Sequence, residues 1–275
     1  MKIDTFKAKL TPFNRDVTFR VMVPNGYEEG GRLYPVLYMN DGQDVFRDED
    51  SVSGHSIRYA QYYADYAKFL PPVIIVGIDC PSTNKERSRQ YTPYTKHFEV
   101  PSWSSYESEV AGTGREYLEW LVHEFKPWID ENYRTRKQGA YTGLGGFSSG
   151  AIVSTYGVMM YPEAFSRLLV ISGSFYIWMD CLDKTLEEAN LDHIKYIYMD
   201  VSTKEQGRIT TPKQFLEGAK MMYHRFLTCG FDETNLKYQV VKGLSHTQGG
   251  WRLRFPDAVR WIFQDIEAAS TPGRF

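Results

Sequence analysis

The sequence has few cysteines, no large excess of charge of either sign and no long uninterrupted apolar segment. Cys80, Cys181 and Cys229 are an odd number without CxxC spacing, so neither a disulfide framework nor a cysteine-based zinc site is predicted. The net charge of −2 leaves no surplus of positive charge to neutralise a nucleic-acid backbone. The longest apolar run, 69–78, contains two prolines and is too short to span a bilayer. Neither nucleic acid nor a membrane is therefore predicted as a partner.

The opening residues and the overall composition are typical of an ordinary globular chain. The opening residues, MKIDTFKAKLTPF, lack the continuous apolar region of a signal peptide, which favours a reducing, cytoplasmic location. Hydrophobic residues make up 42% of the chain and charged residues 24%, enough for a sizeable core. No repeat, low-complexity stretch or linker-like change of composition interrupts it. A single domain over residues 1–275 is predicted.

Short apolar runs alternate with segments of helical periodicity. Continuous apolar runs are typical of strands buried on both faces of a parallel sheet. The predicted strands are 17–23, 35–39, 73–78, 139–147, 168–171, 194–200 and 236–241, with a turn-rich hairpin link (PNGYEEGGR) after the first. The predicted helices are 54–70, 114–131, 149–160, 212–228 and 256–267. This order predicts an α/β fold with a mostly parallel central sheet and helices on both faces.

Chemistry is expected just beyond the carboxyl ends of the strands, where such sheets bind their ligands. There the chain reads Gly-Phe-Ser-Ser-Gly at 146–150, a G-x-S-x-G pattern between a predicted strand and a predicted helix. In that context the serine lies on a sharp turn and its hydroxyl is exposed, so Ser148 is the predicted nucleophile. The alternative is a glycine-rich turn with a solvated serine.

A serine needs a general base, and in this arrangement the acid and then the histidine follow the serine along the chain. Five of the six histidines precede Ser148, lie in a predicted helix or precede a strand, which leaves His246 in the loop KGLSHTQGGW. The orienting acid should follow the strand IKYIYMD. Glu205 is favoured because its loop has room to bring it to His246, and Asp200 stays the alternative.

Two donors are needed for the tetrahedral oxyanion. The amide of Ser149, after the nucleophile, is the first, and the amide of Gln43, in the NDGQ loop, is the second. The aromatic residues Phe175 and Trp178 follow a strand end. Together with Asp41 and Trp251 they are the predicted substrate-binding residues.

Other site types receive less support. The acidic stretch 43–50 is interpreted as a solvated loop rather than a cation site. The segment 97–114 is aromatic and has no clear periodicity, so it is either a cover over the cleft or an ordinary surface loop. No P-loop, GxGxxG or HExxH motif is present, and neither a cofactor nor a metal is predicted.

Several of these segments, in order from about residue 15 to 268, resemble the "putative esterase" family of the α/β-hydrolase fold, which includes esterase D-like enzymes, enterochelin, feruloyl and acetylxylan esterases, and mycobacterial mycolyltransferases. The matching segments are YPVLYMNDGQDVF, VIIVGID with ERSRQYTPY, FKPWIDENYRT, GGFSSGAIVSTYGVMMYPEAFSRLLVISGSF and HTQGGWRLRFPDAVRWIF. Three positions depart from the family's pattern. Asn40 replaces a frequent histidine, Ser202 replaces a glycine, and His246 is followed by Thr-Gln-Gly.

The resemblance implies a serine carboxylic-ester hydrolase with Ser148 as nucleophile, His246 as base, an acid in the loop of Glu205, and oxyanion amides at Gln43 and Ser149. An acyltransferase with the same residues and a non-catalytic binding protein on the same fold are the alternatives. The expected partner is a small-molecule ester, and sugar-linked, siderophore, thioester and short-chain esters all stay open.

Overall fold

The computed structural model describes residues 1–104 and 108–266, and most of their strands form one sheet. The strands are β1 (Lys2–Leu10), β2 (Arg15–Val23), β3 (Val36–Asn40), β4 (Ile74–Ile78), β5 (Thr95–His97), β6 (Glu109–Ala111), β7 (Thr142–Phe147), β8 (Arg167–Ile171), β9 (Tyr196–Lys204) and β10 (Leu236–Ser245). Eight of them pair in the order β1-β2-β4-β3-β7-β8-β9-β10, and β5 and β6 form a separate antiparallel pair.

The large sheet is parallel from β4 to β10 and antiparallel at its β1–β2 end. This confirms the predicted α/β class with a mostly parallel sheet. The predicted hairpin after β2 is wrong, because β2 pairs with β1 and β4 and has no ladder with β3. The turn-rich residues 24–32 instead carry the chain past β4 to the next position in the sheet.

Helices cover both faces of this sheet. They are α1 (Tyr59–Tyr66), α2 (Asn84–Gln90), α3 (Gly114–Trp120), α4 (Lys126–Asn132), α5 (Ser149–Met160), α6 (Met179–Glu188), α7 (Pro212–Thr228), α8 (Gln248–Arg252) and α9 (Phe255–Ile262). Strand β3 shows the two layers, since Tyr38 packs into a cluster with α3 and α5 while Leu37 packs into a second cluster with α1 and α9. Alternate strand residues are therefore buried on opposite faces.

Three predicted helices differ from the observed ones. The helix predicted at 256–267 ends at Ile262, and its last predicted position, 267, lies outside the described residues. The helix predicted at 54–70 begins only at Tyr59, because Asp48 accepts hydrogen bonds from Ser56 and Arg58 and keeps the preceding residues in a loop. The helix predicted at 114–131 is divided by a wide π-helical turn, Leu121–Phe125. Pro127 follows this turn and has no N–H to donate to the carbonyl of residue 123, which explains why regular α-helical bonding is interrupted there.

The parallel strands bring their carboxyl ends to one edge of the sheet. Residues that follow β3, β4, β7, β8, β9 and β10 therefore meet there, although some of them, such as Asp44 and Gln248, are 204 positions apart in the chain. This edge contains every predicted catalytic residue.

Candidate active site

A cavity of about 1240 Å³ opens at the carboxyl edge of the sheet. Its wall combines carboxylates, hydroxyls and indole rings. Among the predicted site residues it is lined by Asp41, Gln43, Ser148, Ser149, Trp178, His246 and Trp251. Residues that follow four different strands, β3, β7, β8 and β10, thus share one solvent-accessible space.

Ser148 lies on a sharp turn between β7 and α5. Its backbone has φ 56° and ψ −120°, a conformation that side-chain-bearing residues rarely adopt. The turn is too tight for side chains beside it, since a Cβ on Gly146 would lie 2.4 Å from the carbonyl carbon of Gly150. The hydroxyl of Ser148 lies 3.2 Å from that of Ser174 at the cavity wall. This strand-turn-helix geometry is the one predicted from the G-x-S-x-G pattern.

The imidazole of His246 faces the carboxylate of Glu205, with Nδ1 and Oε2 3.3 Å apart. Its ring lies between two aromatic residues, Phe215 at 4.8 Å and the edge-on indole of Trp251 at 5.1 Å between centroids. These neighbours restrict the ring on two sides. The carboxylate lies at Nδ1, so Nε2 is the ring nitrogen left for a proton from another group.

Glu205 is fully buried and its other oxygen is extensively hydrogen-bonded. Oε1 accepts from Ser172 Oγ at 2.5 Å, from the main-chain N–H of Ser202 at 3.1 Å and from Arg254 at 3.0 Å. Three donors on one oxygen leave Oε2 to face His246. These three bonds fix the position of the carboxylate.

Asp200, the alternative acid, is buried almost as completely as Glu205. Its carboxylate accepts hydrogen bonds from Tyr198 at 2.9 Å and from Arg254 at 2.6 Å, and within the described residues none from His246. Burial raises the pKa of Asp200 to about 7, although the charge of Arg254 opposes the increase. The structure therefore brings Glu205, not Asp200, to the histidine.

The two main-chain amides predicted for the oxyanion border the same cavity. The loop after β3 packs so tightly on β4 that a Cβ on Gly42 would lie 2.2 Å from the carbonyl carbon of Gly77. The side chain of Gln43 is engaged elsewhere, by Cys80. Within residues 1–104 and 108–266, neither the N–H of Gln43 nor that of Ser149 has a hydrogen-bond acceptor. Both are free to bind an anion.

Arg87 connects the two segments that carry these amides, and the sequence did not identify it as functional. Its guanidinium donates to both carboxylate oxygens of Asp41 at 2.7 Å and to Ser149 Oγ at 2.6 Å. Tyr91 completes the arrangement by accepting from the main-chain N–H of Asp41 at 2.9 Å. The signal was present, since Arg87 lies within ERSRQYTPY, one of the segments that carry the family resemblance.

The predicted substrate-binding residues have different positions. Trp178 lines the cavity, whereas Phe175 is buried in the core and does not. The carboxylate of Asp41 is bound by Arg87, and the indole of Trp251 stacks on Phe147 at 4.9 Å between centroids and donates to Ser172. Both residues therefore support the site's framework as well as lining its cavity.

The segment predicted as either a cover or a loop is only partly described. Residues 105–107 lie outside the described residues. On either side of them β5 and β6 pair, Phe98 packs on Trp178 with ring centroids 5.1 Å apart, and Trp103 lines the cavity. The described part of this segment thus forms one side of the site.

The described part of the chain contains neither a clustered metal site nor a membrane-spanning helix. No group of three or more His, Cys, Asp or Glu side chains there has the arrangement of a metal site, including the acidic stretch 43–50. None of the helices in that part has the length and apolar composition needed to cross a bilayer.

Comparison with known sequences gives one family and distant relatives. The family model described as "Putative esterase" matches residues 11–262. A Bacillus subtilis (strain 168) protein named YbbA, described as uncharacterized, is 23% identical over 247 residues, which is 89% of this chain and 92% of its own.

Solved structures of similar shape include three esterases or serine hydrolases. An IroE-like serine hydrolase from Shewanella oneidensis has a TM-score of 0.70 at 18% identity, covering 94% of this chain and 79% of its own. A ferulic acid esterase has a TM-score of 0.64 at 16% identity, covering 94% of this chain and 97% of its own. The enterobactin esterase FES from Shigella flexneri has a TM-score of 0.70 at 14% identity, covering 97% of this chain and 60% of its own. At these identities the similarity shows a shared fold, and it confirms the predicted α/β-hydrolase fold.

Proposed function

The chain belongs to the "Putative esterase" family and is therefore a carboxylic-ester hydrolase, and we propose that it cleaves its substrates through a covalent acyl-enzyme on Ser148. One observation carries this proposal. Ser148, His246 and the two free amides of Gln43 and Ser149 border a single cavity, and the buried carboxylate of Glu205 lies behind His246. A nucleophile, a base and an anion-binding site in one space are what acyl transfer requires.

The first half of the reaction forms the acyl-enzyme. His246 takes the proton of Ser148 Oγ while that oxygen attacks the ester carbonyl carbon. The negative charge that develops on the carbonyl oxygen is bound by the N–H groups of Gln43 and Ser149, at the N-terminus of α5. When the tetrahedral intermediate collapses, the C–O bond to the alcohol breaks and His246 returns the proton to the departing oxygen.

The second half releases the acid. His246 takes a proton from water while the water oxygen attacks the acyl carbon. The bond between that carbon and Ser148 Oγ then breaks, His246 returns the proton to Oγ, and the acid leaves. Throughout, Glu205 stabilises the imidazolium and holds the tautomer with a proton on Nδ1.

The proposed substrates are small-molecule esters. The cavity has room for an aromatic or sugar unit, since it is about 1240 Å³ and includes the indoles of Trp103 and Trp178 beside polar side chains. The structures of similar fold include a ferulic acid esterase and an enterobactin esterase. Sugar-linked and siderophore-linked esters are therefore the first to be tested.

The test is hydrolysis of p-nitrophenyl acetate by the purified protein. We expect Ser148→Ala to lose this activity, and Ser82→Ala, an exposed cavity-lining serine, to keep it. Equal activity in the wild type and Ser148→Ala would refute the proposal.

Adding an alcohol and analysing the products distinguishes hydrolysis from acyl transfer, which uses the same residues. Binding of an ester without turnover would instead indicate a non-catalytic protein.

A further inference from the structure

A buried cluster of charges lies directly behind His246. Glu205 and Asp200 are both almost completely inaccessible to solvent, and the guanidinium of Arg254 lies between them. Arg254 follows α8 in the chain and is itself only 3% exposed. Three charged side chains that are buried together interact much more strongly than they would at the surface.

Arg254 donates to every member of the cluster. One terminal nitrogen donates to Asp200 at 2.6 Å, the other donates to Glu205 and to Ser172 Oγ at 3.0 Å, and Nε donates to the carbonyl of Gly250 at 3.1 Å. The guanidinium is thus fixed by partners on β9, after β8 and in α8. Because it holds Oε1 of Glu205, it also determines where Oε2 points.

The charges in this cluster do not cancel while His246 is neutral. When both carboxylates are ionised, they and the guanidinium carry one net negative charge, which an imidazolium at His246 would neutralise. Burial raises the pKa of Asp200 to about 7, so this charge is fully present only above that pH. We propose that Arg254 and Asp200 are positioning residues that act on His246 through Glu205, and that together they set the basicity of the imidazole. The inference rests on the proposed function, in which His246 is the general base.

Asp200 and Arg254 act in opposite directions on the equilibrium between the neutral imidazole and the imidazolium of His246. The negative charge of Asp200 favours the imidazolium form of His246, whereas the positive charge of Arg254 disfavours it. Neither is in contact with the substrate cavity, since neither is among its lining residues. Their effect on the reaction therefore passes through Glu205.

The other titratable groups around Asp200 and Arg254 are the same in the wild type and in every variant proposed below. On β9 and β10, Tyr198 donates to Asp200 and Tyr238 lies near it, and burial raises the pKa of both phenols, so they stay neutral. On the cavity side the charged lining residues include Asp44 and Arg208. The two rings packed on the imidazole, from α7 and α8, are uncharged.

The experiment measures the acidic limb of the pH profile of kcat/KM, which reports the protonation of the base in the free enzyme. We expect Asp200→Asn to move this limb down by about one pH unit and Arg254→Met to move it up by about as much. The double variant should return towards the wild-type position, because it has the same net charge. Arg254→Lys keeps the charge and should stay close to the wild type, even if its kcat falls.

A matched control removes an equally buried guanidinium elsewhere. Arg167 is fully buried at the start of β8 and pairs with Asp265, at the opposite edge of the sheet from the cavity. Arg167→Met should lower stability without moving the pH limb. If Arg254→Met does not fold, the pH limb of the isosteric variant Asp200→Asn alone tests the proposal. An unmoved limb in Asp200→Asn, or shifts of the same sign in Asp200→Asn and Arg254→Met, would overturn the proposal.

Failure of the proposed function gives a different result. If the wild type hydrolyses no ester, the pKa of His246 is measured directly by NMR of the imidazole in the same variants. Opposite shifts in Asp200→Asn and Arg254→Met would then support the charge coupling even though the esterase proposal had failed. Normal esterase activity with no shift by either method would reject the coupling alone.

Discussion

Arg87 binds both carboxylate oxygens of Asp41, each at 2.7 Å, in the parallel geometry that a guanidinium forms with a carboxylate. The third nitrogen donates to the hydroxyl of Ser149 at 2.6 Å. Asp41 precedes the loop amide proposed for the oxyanion, and Ser149 carries the other amide. One side chain on α2 therefore links the two halves of the proposed oxyanion hole.

Replacing Arg87 by Met should separate these halves. We expect kcat for p-nitrophenyl acetate to fall about 100-fold, because a displacement of about 1 Å in a catalytic donor has an effect of that size, while KM changes little. The control is Arg89→Met, two residues further along α2, whose side chain bonds only the carbonyl of Ala111 within the described residues. An unchanged kcat in a folded Arg87→Met protein would show that the link is not needed.

The choice between the two candidate acids gives a second prediction. Glu205→Gln keeps the shape of the side chain but removes the charge that stabilises the imidazolium, so kcat should fall by about 10³- to 10⁴-fold. Asp200→Asn should cost less than about tenfold at its own pH optimum, since its carboxylate bonds Arg254 and Tyr198 and not the histidine. Both are measured as kcat across the pH range. A larger loss in Asp200→Asn would make Asp200 the acid.

Much of this site could be predicted because, in a parallel sheet, the residues that follow each strand lie at the same edge. The apolar runs showed where strands end, and each strand end delivers its next residues to the same edge. That was enough to select Ser148, His246 and the loop of Glu205. The strand β1 was missed because its residues are mostly exposed and lack regular apolar alternation.

The residues that hold the site together could not be predicted in the same way. Arg87 contacts Asp41 at a separation of 46 residues, and Arg254 contacts Glu205 at a separation of 49. A charged residue in the sequence resembles any solvated surface residue until the fold shows what it packs against. Phe175 shows the reverse error, since an aromatic residue after a strand end can enter the core as readily as a pocket.

The close packing of the loop after β3 gives a third prediction. An added methyl group at Gly42 would lie 2.2 Å from the backbone of Gly77 and 2.4 Å from that of Ile78, so the loop or β4 must shift. We expect Gly42→Ala to lower kcat by at least tenfold, because the amide of Gln43 moves with the loop, and to lower Tm.

The matched control is Gly30→Ala, where the backbone is extended and an added Cβ meets no atom within 4 Å. It should keep both kcat and Tm. If Gly42→Ala were as active and as stable as Gly30→Ala, the loop would tolerate the displacement and the Gln43 amide would not need its present position.

The backbone at Ser148 gives the last prediction, on stability. Its φ of 56° and ψ of −120° are close to the first central position of a type II′ turn, which glycine adopts without strain and other residues do not. Relief of such strain is worth about 1–3 kcal/mol, and the extra freedom of glycine in the unfolded chain offsets about 0.5–1 kcal/mol of it. Ser148→Gly should therefore exceed Ser148→Ala in free energy of unfolding by about 1 kcal/mol, measured by urea denaturation, although both are inactive. At Ser174, where φ is −78°, the order should reverse and the alanine variant should be the more stable. The same order at both positions would mean that the elbow is unstrained and that its glycines alone allow the tight turn.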